Sequence, residues 1–141
     1  MSDQPTTLRE FSTGANRDTD KGKYDYDGFL SPLAIEAFGA YMHFNRSLPD
    51  GKTRASDNWQ LGIPLDVYRK SLWRHFFDAW RGLRGYPIKE NLVWALCGIL
   101  FNAMGLIHEL TKKDPGLLER SIAEMEQARA MRWNGSPHAD R

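Results

Sequence analysis

The sequence predicts an all-α fold: a helical bundle of about four main helices, with an extended N-terminal arm and a long loop over residues 45–65. The first observation is an apolar segment, residues 90–110, which exceeds a typical strand in length and is richer in helix formers than in β-branched residues. The second is a pair of helix starts, in which Pro32 and Pro115 each follow a capping residue. The third is that no alternating run of strand length occurs, so we expect no sheet.

Composition limits the functions open to the chain. Its 141 residues fit one domain, and five Trp, seven Phe and five Tyr indicate a well-packed interior or a partner surface. A net charge of +1 gives no bulk electrostatic attraction to nucleic acid or to an anionic membrane, so we expect neither as a partner. The single cysteine, Cys97, excludes a disulfide framework and is typical of a reducing cytoplasm. The N-terminus is polar, so we expect no signal peptide.

Residues 1–28 are polar and nearly free of aliphatic side chains, which predicts an extended arm with no core of its own. Basic residues, among them Arg17 and Lys23, alternate there with aspartates. Two interpretations stay open: a solvated, self-neutralising tail, or an arm that brings Arg17 or Lys23 to a phosphate. We expect residues 29–132 to form a single all-α domain and residues 133–141 to form a disordered tail.

A first helix is predicted over residues 32–44, and a long loop follows it. The loop contains a Pro-Asp-Gly turn signal and continues with Gly, Ser, Asp and Asn. Loops longer than about 12–15 residues in compact domains are usually functional or disordered. Trp59, beside Asn58, favours a loop that is anchored to the domain.

The helix predicted over residues 66–81, capped by Asp66, has a polar side and an aromatic side on a helical wheel of about 100° per residue. The polar side carries Ser71, Arg74, His75 and Asp78. The aromatic side carries Trp73, Phe76, Phe77 and Trp80. The polar side either faces water or forms a site. Lys and Glu usually cover a solvated face, whereas these side chains can hold a phosphate, a metal ion or a proton, so we favour a site.

The apolar segment is predicted to be a central helix surrounded by protein, because residues 92–107 carry no formal charge. One stripe is small or polar and consists of Asn91, Ala95, Gly98, Asn102, Gly105 and Glu109. Two interpretations stay open: close packing of another helix over the small residues, or a polar pocket lined by the asparagines and the glutamate. A membrane span is rejected, because the uncharged run is shorter than the ~20 residues that a span needs and contains an asparagine.

A short connection joins these two helices, so they should be antiparallel neighbours. Folding the hairpin about its middle sets Asp78 opposite Asn91 and Ser71 opposite Asn102. The two polar seams are therefore predicted to face each other. A last helix, over residues 116–131, is mostly charged and is predicted to be peripheral.

Several strings of the sequence resemble one known family. They are GANRDTDKGK at 14–23, RASDNWQLGIP at 54–64, the Ser71, Arg74 and His75 set within YRKSLWRHFFDAW, and ILFNAMGLIHE at 99–109. Together they resemble the phage and prophage dATP/dGTP diphosphohydrolases, the MazZ-like relatives of the all-α MazG nucleotide pyrophosphohydrolases. The strings occur in order and cover about residues 11–110.

The resemblance implies a MazG-like helical bundle that hydrolyses a purine deoxynucleoside triphosphate to monophosphate and pyrophosphate, with Mg²⁺ or Mn²⁺, in the cytoplasm of a bacterial host. Because MazG-like relatives often complete their sites by dimerising, it also implies a homo-oligomer. One departure is plain. The MazG metal signature, Glu-Glu-x-x-Glu followed by Glu-x-x-Asp on the next helix, is absent, and the helix at 66–81 supplies only Asp66 and Asp78.

On this resemblance the site residues divide by role. The metal ligands are Asp78 and Glu90, and the catalytic groups are Asp78 and His75. The phosphate contacts are Arg17, Lys23, Arg74 and His75, and Ser71 is a further nucleotide-binding group. The nucleoside-side groups are Asn58, Trp59 and Asn102. Trp59 either stacks on a purine or anchors the loop in the core.

Two alternative functions stay open. The low number of carboxylates fits a helical nucleotide-binding module that does not hydrolyse its ligand. The many aromatic residues fit a phage interaction or assembly protein whose aromatics are buried at a subunit interface. Nucleotide binding without turnover would support the nucleotide-binding module. A lack of nucleotide binding would support the interaction or assembly protein.

Overall fold

The computed structural model describes residues 8–135. The chain divides into two compact units, Met1–Pro32 and Leu33–Arg141. The predicted disordered tail begins at residue 133, but residues 133–135 end a helix, and residues 136–141 lie outside the described residues.

The first unit contains a small sheet, which the sequence analysis did not predict. Strands β1 (Leu8–Glu10) and β2 (Asn16–Asp18) pair antiparallel, with Arg9 opposite Arg17. The loop between them closes because Gly14 adopts a φ of 84°, a left-handed conformation that glycine reaches without steric cost. Three-residue strands are too short to show an alternating pattern, so the expectation of no sheet was wrong at this point. A short helix, α1 (Tyr26–Phe29), follows.

The rest of the described chain is helical, and the all-α prediction is confirmed. The helices are α2 (Pro32–Phe44), a 3-10 turn (Asn58–Leu61), α3 (Leu65–Leu83), α4 (Leu92–Lys113) and α5 (Leu117–Gly135). The four long helices lie where they were predicted, within a few residues at each end.

Helix starts show where local sequence rules held and where they failed. Asn91 caps α4, because its side-chain oxygen accepts a hydrogen bond of 2.9 Å from the backbone N–H of Trp94. Asp66 was expected to cap α3, but α3 starts directly after Pro64, and Asp66 lies in its first turn. There the carboxylate forms an exposed ion pair of 3.7 Å with Lys70. Pro64 has no backbone N–H, so no capping partner is needed at that position.

Helices α3 and α4 form a closely packed antiparallel pair. The ring of His75 covers Gly98, where a Cβ atom would lie 2.5 Å from the His75 ring, and the ring of Tyr68 covers Gly105. This register places Ser71 at the level of Asn102, as predicted from the hairpin. The small stripe of α4 therefore serves close helix packing, which was one of the two interpretations of the sequence.

The loop between α2 and α3 is anchored to α4 by aromatic contacts. The Trp59 ring packs edge-on against His108, at 4.8 Å between ring centroids, and against Phe101 at 6.5 Å. Earlier in the chain, Tyr41 of α2 packs edge-on against Trp94 at 5.9 Å. The prediction of an anchored loop is confirmed.

The buried core of the described chain is small. Its buried apolar residues are Tyr41, Tyr68, Ala79, Ala95 and Cys97. Beyond Leu117, the described side chains of α5 are exposed, which confirms its peripheral place. Helix α4 was expected to have protein on all sides, yet one of its faces is open within the described residues.

Replacement of Gly105 by alanine tests the close packing of α3 on α4. The added methyl group overlaps the Tyr68 ring, so we expect a loss of about 1–3 kcal/mol in the free energy of unfolding. Gly39, in the middle of α2, has open space at its Cβ position, so Gly39→Ala should be neutral or stabilise by up to about 1 kcal/mol. Urea denaturation measures the free energy of unfolding of both variants. Equal changes for Gly105→Ala and Gly39→Ala would contradict the close packing of α3 on α4.

Candidate functional site

The main candidate site is an open groove along α3, closed at one end by the turn between α3 and α4. We call it the α3 groove; its volume is about 990 Å³. Its polar lining consists of Ser71, Arg74, His75, Asp78, Arg81, Lys89 and Glu90. Its apolar lining consists of Trp73, Phe77, Pro87 and Ile88. Five residues predicted from the sequence, at positions 71, 74, 75, 78 and 90, thus line one groove.

Helical spacing explains why these α3 side chains converge. Positions 71, 74, 75 and 78 are separated by three or four residues and therefore project from one face of a helix. Arg81 continues the same face one turn later. Its guanidinium donates a hydrogen bond of 3.3 Å to the carbonyl of Pro87 and lies 5.4 Å from the centre of the Tyr86 ring. These contacts fold the turn back, which brings Lys89 and Glu90 to the groove.

The groove combines both signs of charge. Arg74, Arg81 and Lys89 supply positive charge suited to phosphate oxygens, and Asp78 and Glu90 supply carboxylates, the ligands that hard cations prefer. Between residues 8 and 135, no group of three or more His, Cys, Asp and Glu side chains is arranged to hold a metal ion. Any cation held here by one chain therefore needs further ligands from its surroundings.

A second, smaller cavity lies under the loop before α3. We call it the loop cavity; its volume is about 240 Å³. Its polar lining is Asn45, Arg54, Ser56 and Asn58, and its apolar or aromatic lining is Tyr41, Met42, Ala55, Trp59, Ile63 and Phe101. Trp59 is half-buried against α4. Trp59 therefore anchors the loop to α4, and it also lines the loop cavity.

Tyr41 is buried and lines the loop cavity. Burial raises the pKa of Tyr41 above its usual 10.0, and interaction with Glu90 and then Cys97 raises the pKa further.

Asn102 and Glu109 lie in the seam between α3 and α4 and line neither cavity. The buried amide of Asn102 donates a hydrogen bond of 2.7 Å to the carbonyl of Gly98. The buried Tyr68 hydroxyl and Glu109 Oε1 have no hydrogen-bond partner among the described residues. Burial, and then the charge of Glu109, raises the pKa of Tyr68. This part of the seam is structural, and Asn102 is held by its own helix.

The two predicted residues of the arm lie in the first unit. Arg17 is on β2, and the backbone N–H of Lys23 donates to the carbonyl of Asp20 at 2.9 Å. Both side chains are exposed. The α3 groove and the loop cavity belong to the second unit.

Sequence reasoning missed several lining residues. Arg81 follows Arg74 by seven residues, a spacing that a continued helical wheel would have found. Lys89 is next to the predicted Glu90 in the sequence, and only the folding of the turn shows that it lines the groove. Asn45, directly after α2, lines the loop cavity because the loop folds back on the end of that helix, which no local sequence pattern indicates.

Comparisons with known proteins add no family assignment. No protein-family model, no curated protein and no solved structure matches the chain. The function is therefore argued from the groove and its side chains.

The thiol of Cys97 tests the burial of this part of α4. Cys97 is buried, and burial raises its pKa, so the folded protein should react with a thiol reagent about 100-fold or more slowly than the protein in urea. Because the folded pKa is the raised one, stability from the neutral thiol is present below the unfolded pKa and is lost as pH rises through the folded pKa. Rapid labelling of the native protein at neutral pH would contradict the burial of Cys97.

Proposed function

We propose that the chain hydrolyses purine deoxynucleoside triphosphates, dATP or dGTP, to monophosphate and pyrophosphate in a metal-dependent reaction. The observation that carries the proposal is the α3 groove, in which three cationic side chains and two carboxylates line one open surface. Splitting a triphosphate needs cations for its oxygens, a positioned water and a place for the nucleoside.

The cations of the groove would hold the phosphates. The guanidinium groups of Arg74 and Arg81 have the planar fork that suits phosphate oxygens, and Lys89 adds a point charge. The Ser71 hydroxyl supplies a neutral donor at the other end of the groove.

The carboxylates fit a divalent cation that is shared with the substrate. Mg²⁺ is usually held in nucleotide sites by one or two carboxylates together with phosphate oxygens and water. Asp78 and Glu90 are such a pair, and no larger ligand group occurs among residues 8–135. When bound, Mg²⁺ or Mn²⁺ would neutralise charge on the reacting phosphate. We therefore expect the cation to bind well only in the presence of nucleotide.

The reaction breaks the bond between the α-phosphorus and the oxygen that bridges to the β-phosphorus. A water oxygen forms the new bond to the α-phosphorus, and pyrophosphate leaves with the bridging oxygen. His75 accepts the proton from the attacking water, because its ring is fixed across Gly98 and lines the groove. Asp78, one turn further along α3, orients that water and contributes to the cation site.

The loop cavity is proposed to receive the nucleoside. The amides of Asn45 and Asn58 line it and offer both donors and acceptors to a base edge. Trp59 and Tyr41 supply aromatic walls. Asn102 would act only indirectly, by keeping the shape of α4 below this cavity.

A nucleotide-binding module without hydrolysis is the second candidate. It is favoured by the lack of a three-ligand metal group among residues 8–135. Binding of a purine deoxynucleoside triphosphate without formation of pyrophosphate would select this candidate.

The change Asp78→Asn tests the catalytic role of the groove. It removes one charge at nearly constant volume, so we expect the rate of pyrophosphate release with Mn²⁺ or Mg²⁺ to fall by about 10²–10⁴-fold while nucleotide binding persists. Asp66→Asn is the matched control, because Asp66 lies on the same helix but outside the groove. Full activity of the Asp78 variant would contradict the proposed role.

The change Arg74→Ala tests phosphate binding. Loss of a charged hydrogen-bond donor should weaken triphosphate binding by about 10–100-fold, because such bonds contribute about 1.5–3 kcal/mol. Arg69→Ala, an exposed arginine of α3 that does not line the groove, is the control and should bind normally. Calorimetric titration with a nonhydrolysable triphosphate measures both. Equal affinities of the two variants would place the phosphates elsewhere.

A further inference from the structure

The face of α3 that points away from α4 carries two kinds of side chain. Tyr68 and His75 pack on α4, so on a helical wheel of about 100° per residue the opposite arc, about 160° wide, faces outward. Between residues 69 and 84 the aromatic members of this arc, between 50% and 67% exposed, are Trp73, Phe76, Phe77 and Trp80. Its cationic members are Arg69, Lys70, Arg74, Arg81 and Arg84. We call this set of side chains the α3 outer face.

The α3 outer face has a local excess of positive charge. The only carboxylate on α3 beyond its first turn is Asp78, which is half-buried at the border of the face. Lys70 forms an exposed ion pair with Asp66, whereas the arginines of the face form no ion pair among residues 8–135. The net charge of +1 is therefore an average over the chain, and it conceals a row of cations about 22 Å long. That average does not exclude a polyanion at this face.

The aromatic rings of the face are paired edge-on. The centroids of the Trp73 and Phe76 rings are 5.9 Å apart with an angle of 88° between the planes. The Phe77 and Trp80 rings are 5.8 Å apart at 71°. Rings in such pairs do not stack on each other, and all four side chains stay half or more exposed. An arginine directly follows each of the two tryptophans, so aromatic and cationic groups alternate along the helix.

We propose that the α3 outer face binds single-stranded DNA, with bases stacked on its rings and phosphates held by its cations. Proteins that bind single strands without sequence preference combine these two features, because every base has a π-face and every nucleotide carries a phosphate. The face has no side-chain acceptor for a ribose 2′-hydroxyl, which would lose water against the rings without gaining a partner. It therefore fits DNA better than RNA.

This inference does not depend on the proposed hydrolysis. Arg69, Trp80 and Arg84 belong to the α3 outer face but do not line the α3 groove. Variants at these positions therefore report on the binding of a single strand separately from the binding of a nucleoside triphosphate.

A second copy of this chain is a poorer occupant of the α3 outer face. A twofold contact places the same surface on both partners, so two identical rows of cations would meet. Like charges opposite each other across an interface oppose association. The face offers no carboxylate of its own to offset them.

A membrane is also a poorer occupant. Helices that lie on a membrane separate an apolar side from a cationic side, whereas the α3 outer face alternates the two and has no aliphatic member. Helix α4 is long and apolar enough to cross a membrane by length and composition. However, α3 lies along α4, so a spanning α4 would take Arg74 and Asp78 into the hydrocarbon layer.

The first experiment tests base stacking. Fluorescence anisotropy of a labelled oligo-dT of about 12 nucleotides should show binding to the full chain at about 50 mM salt. Trp80→Ala should weaken this binding by about 5–100-fold, because one base loses its ring. Trp133→Ala is the matched control, since Trp133 is 65% exposed on α5, outside the face, and it should bind normally. No binding by the full chain, or equal losses in the two variants, overturns the proposal.

The second experiment tests phosphate contacts. The logarithm of the association constant should fall linearly with the logarithm of salt concentration, with a slope of about −3 if about four phosphates are held. Arg84→Gln should make the slope shallower by about 0.7, and Arg129→Gln, exposed on α5, should leave it unchanged. An unchanged slope in Arg84→Gln overturns the proposal. If Trp80→Ala fails to fold, the salt slopes decide.

The third experiment compares other occupants. Oligo-U of the same length should bind no more tightly than oligo-dT, and tighter binding of oligo-U overturns the choice of DNA. Vesicles of phosphatidylcholine and phosphatidylglycerol, and a polyglutamate peptide, are tested with the full chain and with Trp80→Ala. If either probe binds more tightly than oligo-dT and loses that binding in Trp80→Ala, the face belongs to a membrane or to an acidic protein, and the proposal is overturned.

Discussion

The second unit depends on the close approach of α3 to α4. Gly98 and Gly105 have no side chain, so the rings of His75 and Tyr68 lie directly on the α4 backbone. This contact fixes the register of the antiparallel pair and the direction in which every other α3 side chain points. A larger residue at either glycine would separate the helices and alter the groove.

The same packing orients the candidate site. With His75 fixed on Gly98, its sequence neighbour Arg74 and Asp78, one turn further along α3, line the same groove as the turn after the helix. The turn then adds Lys89 and Glu90 because Arg81 holds its backbone. The packing contact with α4 and the lining of the groove are thus combined in one helix.

The described chain gives α4 unequal surroundings. The face toward α3 includes a buried carboxylate and a hydroxyl without partners among the described residues, whereas the opposite face, with Val93, Leu96 and Leu100, is half open to solvent. Because unpaired buried polar groups cost free energy and exposed apolar surface does too, the hairpin has a limited gain from its own contacts.

Local sequence determined the helices and the polar face of α3. Heptad and wheel spacing are properties of neighbouring residues, so the set Ser71, Arg74, His75 and Asp78 was found on one side, and the short turn correctly predicted an antiparallel pair. Tertiary structure alone decided which polar residues reach a cavity. Asn102 shares the polar stripe of α4, yet α3 buries it in the seam, and Asn45, directly after α2, lines the loop cavity because the loop folds back on the end of that helix. The reason is that a periodic pattern shows which residues lie on the same face of a helix, whereas only the tertiary packing decides what that face contacts.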